Sequence, residues 1–379
     1  MSPCEETLAW LKLSRTPRLA IAALASALDR LGSASAVLDA SDAYLEAAGI
    51  SAAARDYLHS DAVAPRRAER RWLEAPDHHL LPLSSPAFPP LLRASSACPV
   101  ALYVAGRREA LGAQQLAVVG SRHPTPQGLE NAFELARNIA RRGLAVTSGL
   151  AQGIDAAAHR GALAAQGTTL AVLGCGADRV YPHTHAGLSH AIRGNGALVS
   201  AFPLGTAPRR ANFPLRNRLI AAMTLGTLVV EAAQGSGSLL TARSAARAGR
   251  PLFAVPGSIV SPQSRGCHQL IKQGAALVEH ADDILRKLDF PAFFAGTSHP
   301  RHPSREVATR APGMDKHHKI LLDALGFDPA DLDTLVVRTG LKPQTVSSMM
   351  LILELEGHVQ AAPGGRYSRV AGRRAGGER

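Results

Sequence analysis

Leu116-Ala117-Val118-Val119-Gly120-Ser121-Arg122 decides how this chain folds. Four apolar residues run straight into a glycine, a serine and an arginine. Thr125-Pro126 then open an amphipathic stretch, Gln127–Arg142. A short apolar run closed by turn residues and followed by helical periodicity reads as a buried strand feeding a helix. The same unit recurs downstream. Strands are expected at Leu144–Thr147, Thr169–Leu173, Ala197–Ser200, Thr227–Val230 and Leu252–Val255, with helices over Ile154–Gln166, Ala186–Arg193, Leu215–Ala222 and Leu239–Ala248. Apolar strands alternating with helices predict a parallel, doubly wound α/β sheet, whose ligands bind at the carboxyl ends of the strands.

The flanks differ from this centre. Residues 1–70 read as a small all-α, SAM-like domain. Thr16-Pro17 is expected to open a helix there, and Gly32 to stop it. Residues 72–113 are Pro-rich and expected to be irregular, apart from one strand at Val100–Val104, and they lead into the α/β region that ends near residue 287. A Pro/Gly-rich linker is expected over 288–314. Beyond it, Lys316–Leu325 reads as a helix, Asp328 as the cap of a helix starting at Pro329, and Pro343 as the start of another that ends before Gly357. A hairpin, Val359–Ala361 with Tyr367–Val370, completes a winged-helix pattern over 315–371. The arginine-rich tail is 372–379.

Composition narrows the partners. The chain has 379 residues, 46% of them apolar, so a sizeable core is available. Forty-two Lys+Arg against 30 Asp+Glu give a formal net charge of +12, which favours a polyanionic partner, nucleic acid first. Arginine and alanine excess is also what GC-rich coding produces, so charge alone carries half the weight. Cys4, Cys98, Cys175 and Cys267 form no C-x-x-C pair, which argues against a disulfide framework or a cysteine-based zinc site and fits a reducing cytosol. No signal-peptide pattern or membrane-length apolar run is read, and a soluble cytoplasmic protein is expected.

The strand-end loops carry the chemistry. Gly120-Ser121-Arg122 before a helix start can hold an anion through backbone N–H groups and the guanidinium fork. It is neither a P-loop nor a dinucleotide fingerprint, because Gly-Lys-Ser/Thr and G-x-G-x-x-G are both missing. Ser148-Gly149-Leu150-Ala151-Gln152-Gly153-Ile154-Asp155 leaves backbone donors exposed. Asp155 is either a structural helix-start charge with His159 as its neighbour or a residue that orients Arg122 or another loop. His183 and His185 read as solvated loop histidines. Arg216-Asn217-Arg218 brackets the start of an apolar helix, and Ser236-Gly237-Ser238 opens another. Several anion-holding loops thus converge on one sheet edge, more than a single nucleotide needs and suited to a polynucleotide backbone. No catalytic triad, metal-ligand spacing or cofactor motif is read. Asp155 and Glu231 are the only carboxylates considered for acid–base work.

Together, Val118–Arg122, Ser148–Gly161, Thr168–Gly176, Asn212–Ile220, Val229–Ala242 and Ala254–Cys267 closely resemble the bacterial DNA-processing protein A (DprA/Smf) family, over about residues 75–287. The resemblance implies an extended Rossmann-like fold that binds single-stranded DNA without sequence preference. It further implies protection of incoming DNA during natural transformation, delivery to the recombinase RecA, and a homodimer. Carried over by motif, the DNA-binding residues are Gly120, Ser121, Arg122, Ser148, Gly149, Gly153, Asp155, Arg216, Asn217, Arg218, Ser236, Gly237 and Ser238. The expectation is a non-enzymatic protein with no cofactor and no metal. Two positions depart from the family pattern. Ala201 stands where a Glu is common, and His183-Thr184-His185 follows Tyr181-Pro182 where an Asn is usual.

Two other readings compete. A nucleotide-processing enzyme of the phosphoribohydrolase-like Rossmann group would need a Pro-Gly-Gly-x-Gly-Thr loop, which is absent. A winged-helix transcription regulator would need cations on its recognition helix, yet Gln344–Glu356 holds no Lys or Arg.

Overall fold

The computed structural model describes residues 4–60, 67–290, 316–325 and 329–370. Most of the expected linker and all of the arginine-rich tail 372–379 lie outside the described residues. Two compact units are present: Met1–Pro124 with Asn131–Phe293, and Thr125–Glu130 with Phe294–Arg379.

The first unit begins with six helices: α1 (Glu5–Arg15), α2 (Ile21–Leu31), α3 (Ala34–Asp39), α4 (Asp42–Ala47), α5 (Ala52–Leu58) and α6 (Arg67–Leu73). Thr16-Pro17 does not open a helix. Glu5 and Glu6 sit at the start of α1 and Lys12 and Arg15 at its end, a charge order that favours helix over this stretch. Thr16 therefore closes α1, its N–H bonding Leu13 O at 3.1 Å. Gly32 ends α2 with φ +81°, as read from the sequence. These helices share one hydrophobic core with the sheet: Trp10, Leu24 and Val37 belong to the same buried cluster as Phe88, Leu102 and Val199.

Residues 72–113 hold two strands, not one. β1 (His78–Pro82) and β2 (Ala101–Gly106) flank the short α7 (Pro90–Arg93). β1 escapes a sequence reading because His-His-Leu-Leu-Pro is half polar and contains proline. It is an edge strand, where a missing N–H is tolerated. The alternating core follows as β3 (Gln115–Val119), α8 (Pro126–Arg141), β4 (Ala145–Ser148), α9 (Ile154–Ala164), β5 (Thr169–Val172), α10 (Ala186–Asn195), β6 (Ala197–Ser200), α11 (Asn212–Met223), β7 (Gly226–Val229), α12 (Ser238–Arg247), β8 (Leu252–Ala254), α13 (Arg265–Lys272), β9 (Ala276–Leu277) and α14 (Ala281–Lys287).

The nine strands lie in the order β1-β2-β6-β5-β4-β3-β7-β8-β9. Strands β3 to β9 pair in parallel, whereas β2 is antiparallel to β6 and β1 antiparallel to β2. The sheet is therefore mixed and mostly parallel, not wholly parallel. From β3 the chain winds one way through β4, β5 and β6, then returns to lay β7 on the other side of β3. That reversal is the place where open α/β sheets leave a crevice beyond the strand ends.

The second unit contains α15 (Lys316–Leu325), β10 (Ala330–Asp331), α16 (Leu332–Thr339), α17 (Pro343–Leu355), β11 (Val359–Ala362) and β12 (Arg366–Arg369). Its sheet runs β10-β12-β11, and Leu321, Leu335, Val346, Met350 and Leu353 fill its core. The helix expected at Pro329 starts instead at Leu332. Asp331 caps it by accepting from Thr334 N at 2.7 Å, and Pro329 stands before β10. Asp328 lies outside the described residues. Helices followed by a small antiparallel sheet make this a winged-helix module.

Candidate nucleic-acid interface

A cleft of about 810 Å³ opens beyond the carboxyl ends of β3, β4 and β7. Its first wall is the turn after β3. Gly120 is required there because a side chain would strike Ile154 and Glu231 O. The close approach lets Ser121 N donate to Glu231 O at 2.7 Å, which joins the β3 and β7 loops across the sheet reversal. Ser121 is buried, and its Oγ accepts from His123 N at 3.1 Å. Arg122 is exposed at the mouth, with its guanidinium carbon 5.2 Å from the centre of the Phe213 ring.

Phe213 opens α11, and Tyr181 comes from the loop after β5. Their ring centres lie 5.9 Å apart, and Tyr181 is 45% exposed. Thirty-odd residues of sequence separate these aromatics, so only the fold joins them into a platform beside Arg122. The far wall is the turn before α12. Ser236, Gly237 and Ser238 line the cleft, with Ser236 Oγ and Ser238 Oγ 2.8 Å apart. The first-turn amides of this ten-residue helix bond within the turn, Leu239 N to Ser236 O and Leu240 N to Gly237 O, both at 3.1 Å, and the helix start still places positive partial charge next to the cleft.

Beneath the rim lie two buried ionisable side chains, Arg216 and Asp155. Arg216 is only 5% exposed. One of its terminal nitrogens donates to Val172 O at 2.9 Å and to Gly149 O, and its Nε donates to Asn217 Oδ1 at 3.0 Å. A side chain at position 149 would occupy the guanidinium's place, so glycine is needed there for close approach. Asp155 accepts from Gly149 N at 3.1 Å and Ala151 N at 3.3 Å. Burial pushes its carboxyl up from the ordinary value, against the pull of Arg216 and the amides. Burial likewise lowers the Arg216 guanidinium, which Asp155 opposes. Asp155 thus orders the β4 loop itself and does not hold Arg122.

The motif residues divide accordingly. Gly120, Ser121, Arg122, Asp155, Arg216, Asn217, Ser236, Gly237 and Ser238 line the cleft. Ser148, Gly149 and Gly153 do not. Ser148 Oγ donates to Val118 O at 2.6 Å, and Gly153, at φ +79°, turns the chain beneath Ser121 so that Ile154 N reaches Ser121 O at 3.1 Å. Arg218 is exposed on the other side of α11, because residues two apart on a helix face nearly opposite ways. The expected joint cradle of Arg122, Arg216 and Arg218 is thus taken apart. One arginine is at the rim, one is under the floor, and one faces a different cavity. Arg210, which the motif reading passed over, joins the cleft.

The histidines also separate. His183 is exposed, but His185 is buried and its Nδ1 bonds Leu150 O at 2.9 Å, so it is a loop anchor and not a solvated residue. His159 is fully buried, with Nδ1 2.7 Å from Thr169 Oγ1. Burial, with His185 and Arg216 nearby, pulls its pKa down to about 3. Among the described residues there is no metal-holding group of His, Cys, Asp or Glu, and no helix is long and apolar enough to cross a membrane.

Known proteins share this architecture. A family model described as DNA recombination-mediator protein A matches residues 79–289, and one for the DprA winged helix domain matches residues 305–365. Protein Smf of Escherichia coli (strain K12) is 43% identical over 299 residues, 78% of each chain. The solved DNA processing protein A of Streptococcus pneumoniae is 31% identical and covers 76% of this chain and 99% of its own, with a TM-score of 0.63. DNA processing protein A of Helicobacter pylori, solved for its single-stranded DNA binding mode, is 29% identical over 56% of this chain and 95% of its own, with a TM-score of 0.50. With more than half its length inside the first model and a winged-helix module matched by the second, the chain belongs to the DNA recombination-mediator protein A family, the DprA/Smf DNA-processing proteins.

Proposed function

We propose that this protein binds single-stranded DNA without sequence preference in the cleft beyond β3 and β7. In this reading it protects incoming DNA and loads the RecA recombinase onto it during natural transformation, working in the cytoplasm as a homodimer. The observation that carries the reading is the meeting of exposed Arg122, the Phe213–Tyr181 platform and the α12 start at the sheet reversal. Cations that track phosphates beside aromatics that stack any base are the means of sequence-tolerant single-strand binding. The relative from Helicobacter pylori binds single-stranded DNA, which supports the same reading here.

Binding is favoured over nucleotide chemistry. Asp155 is occupied by two backbone amides, and Glu231 does not line the cleft. The winged-helix unit is not assigned to duplex reading. Its α17 exposes Leu351, Ile352 and Leu355, and residues 344–356 lack any cation to meet phosphates. A salt-titrated comparison of single strands with duplex tests the proposal. Single strands are expected to bind tighter, with a slope of about −0.7 per phosphate neutralised. Arg122→Ala is expected to weaken all sequences alike. Unchanged single-strand affinity in that variant overturns the assignment of the cleft.

A further inference from the structure

A second cavity, of about 750 Å³, lies on the opposite side of α11 from the cleft. Its walls come from the segment 91–98, from α11 and from the end of α12. Arg218, Arg247 and Arg250 line it, with Arg216 beneath, and its lining contains no Asp or Glu. Among the described residues, Arg218, Arg247 and Arg250 enter no ion pair, and Arg250 Nε is buried without a hydrogen-bond partner. The complement of the helix dipole explains Arg247, which sits in the last turn of α12. It does not explain Arg218, in the middle of α11, or Arg250, beyond the end of α12. Three guanidinium groups around one concavity with no carboxylate repel one another until an anion enters.

The remaining wall is apolar: Phe202, Leu215, Leu219 and Ala222. Leu215 is 52% exposed. Ala201 also lies on this wall, which adds no carboxylate to the lining. Only the first turn of α11 separates this cavity from the cleft. Phe213 and Pro214 face the cleft, Leu215 faces the cavity, and Arg216 borders both.

We propose that this arginine-rimmed cavity is a second nucleotide-binding compartment, into which a single strand held in the cleft continues across the first turn of α11. Arg218, Arg247 and Arg250 hold its phosphates, and Phe202 and Leu215 take the apolar faces of its bases. The proposal rests on the reading of the cleft as a single-strand site.

The test uses the full chain with Arg218→Gln/Arg247→Gln, two exposed positions whose change leaves no partner unpaired. It is measured beside Arg122→Ala on an oligothymidylate of about 12 nucleotides, a length within the usual range of single-strand sites. The double variant is expected to reduce the salt slope by about 1.4, two contacts at about 0.7 each, in addition to the loss in Arg122→Ala. If Arg122→Ala lowers the slope and the double variant does not, the strand does not enter the second cavity, and the cleft proposal stands. If neither variant changes binding, both readings fail. Thymidine monophosphate, titrated in parallel, supplies a further outcome. Its loss in the double variant with unchanged oligonucleotide binding would make the cavity a separate mononucleotide site and overturn the continuation.

Discussion

The floor and the rim of the cleft carry the same residue types to opposite ends. In the floor, Arg216 and Asp155 are buried and spend their hydrogen bonds on backbone: Val172 O and Gly149 O for one, Gly149 N and Ala151 N for the other. At the rim, Arg122 is exposed over an aromatic face with the cleft before it. A buried guanidinium that satisfies carbonyls fixes the loops, whereas an exposed one remains open to a ligand. The difference teaches that a motif arginine's role follows from where its fork ends, since both stand in motifs equally suited to phosphate.

The comparison can be broken by substitution. Arg216→Ala is expected to cost about 3–5 kcal/mol of stability, because it leaves the buried carbonyls of Gly149 and Val172 without their donor, at about 1–3 kcal/mol each, and removes the cation near Asp155. Urea unfolding measures it, and a loss under 1 kcal/mol would mean that the floor is not a strut. Tyr181→Ala should leave stability near that of the wild type yet weaken single-strand binding by about 1–3 kcal/mol, the usual worth of stacking one base on an aromatic ring. Fluorescence anisotropy at fixed salt checks this.

The floor also predicts a pH dependence. The His159 pKa is pulled from the ordinary histidine value of 6.5 to about 3, so the folded state binds fewer protons than the unfolded chain between those values. Its contribution is fully present above 6.5 and declines as pH falls toward about 3. Between pH 7 and pH 5 this amounts to about 2 kcal/mol. Unfolding at the two pH values in the wild type and in His159→Gln separates it from other groups: the variant is expected to show the flatter dependence. The raised carboxyl of Asp155 acts with the opposite sign, favouring the folded state at acid pH. The smallest effect belongs to the rim. Arg122→Ala should change stability by no more than about 0.5 kcal/mol, as exposed substitutions do, while the salt slope of binding drops by about 0.7. A large stability loss there would place Arg122 with the floor.

The alternating centre of the fold was legible because each parallel strand is buried on both faces and so is written as a short apolar run. The same rule hid β1, whose edge position permits histidine and proline. The helix expected at Pro329 starts at Leu332 because Asp331, three residues before Thr334, caps it. In the site, the turns were legible as small-residue clusters. Their division of labour was not, because hydrogen-bond partners such as Val172 O for Arg216 and Leu150 O for His185 come from distant sequence. Arg210, Phe213 and Tyr181 meet only in three dimensions.

Sequence alone determined the alternation of strand and helix, the small residues at the strand ends, the excess of cations and the helix–turn–helix–hairpin at the C-terminal side, since each is set by local periodicity and composition. Tertiary structure alone decided which arginine is a strut and which is open to a ligand. It also decided that two antiparallel strands extend the sheet, and that α11 divides Arg216 from Arg218. These depend on which distant carbonyls and side chains close around each charge, and burial, not residue type, sets what a charge can still bind.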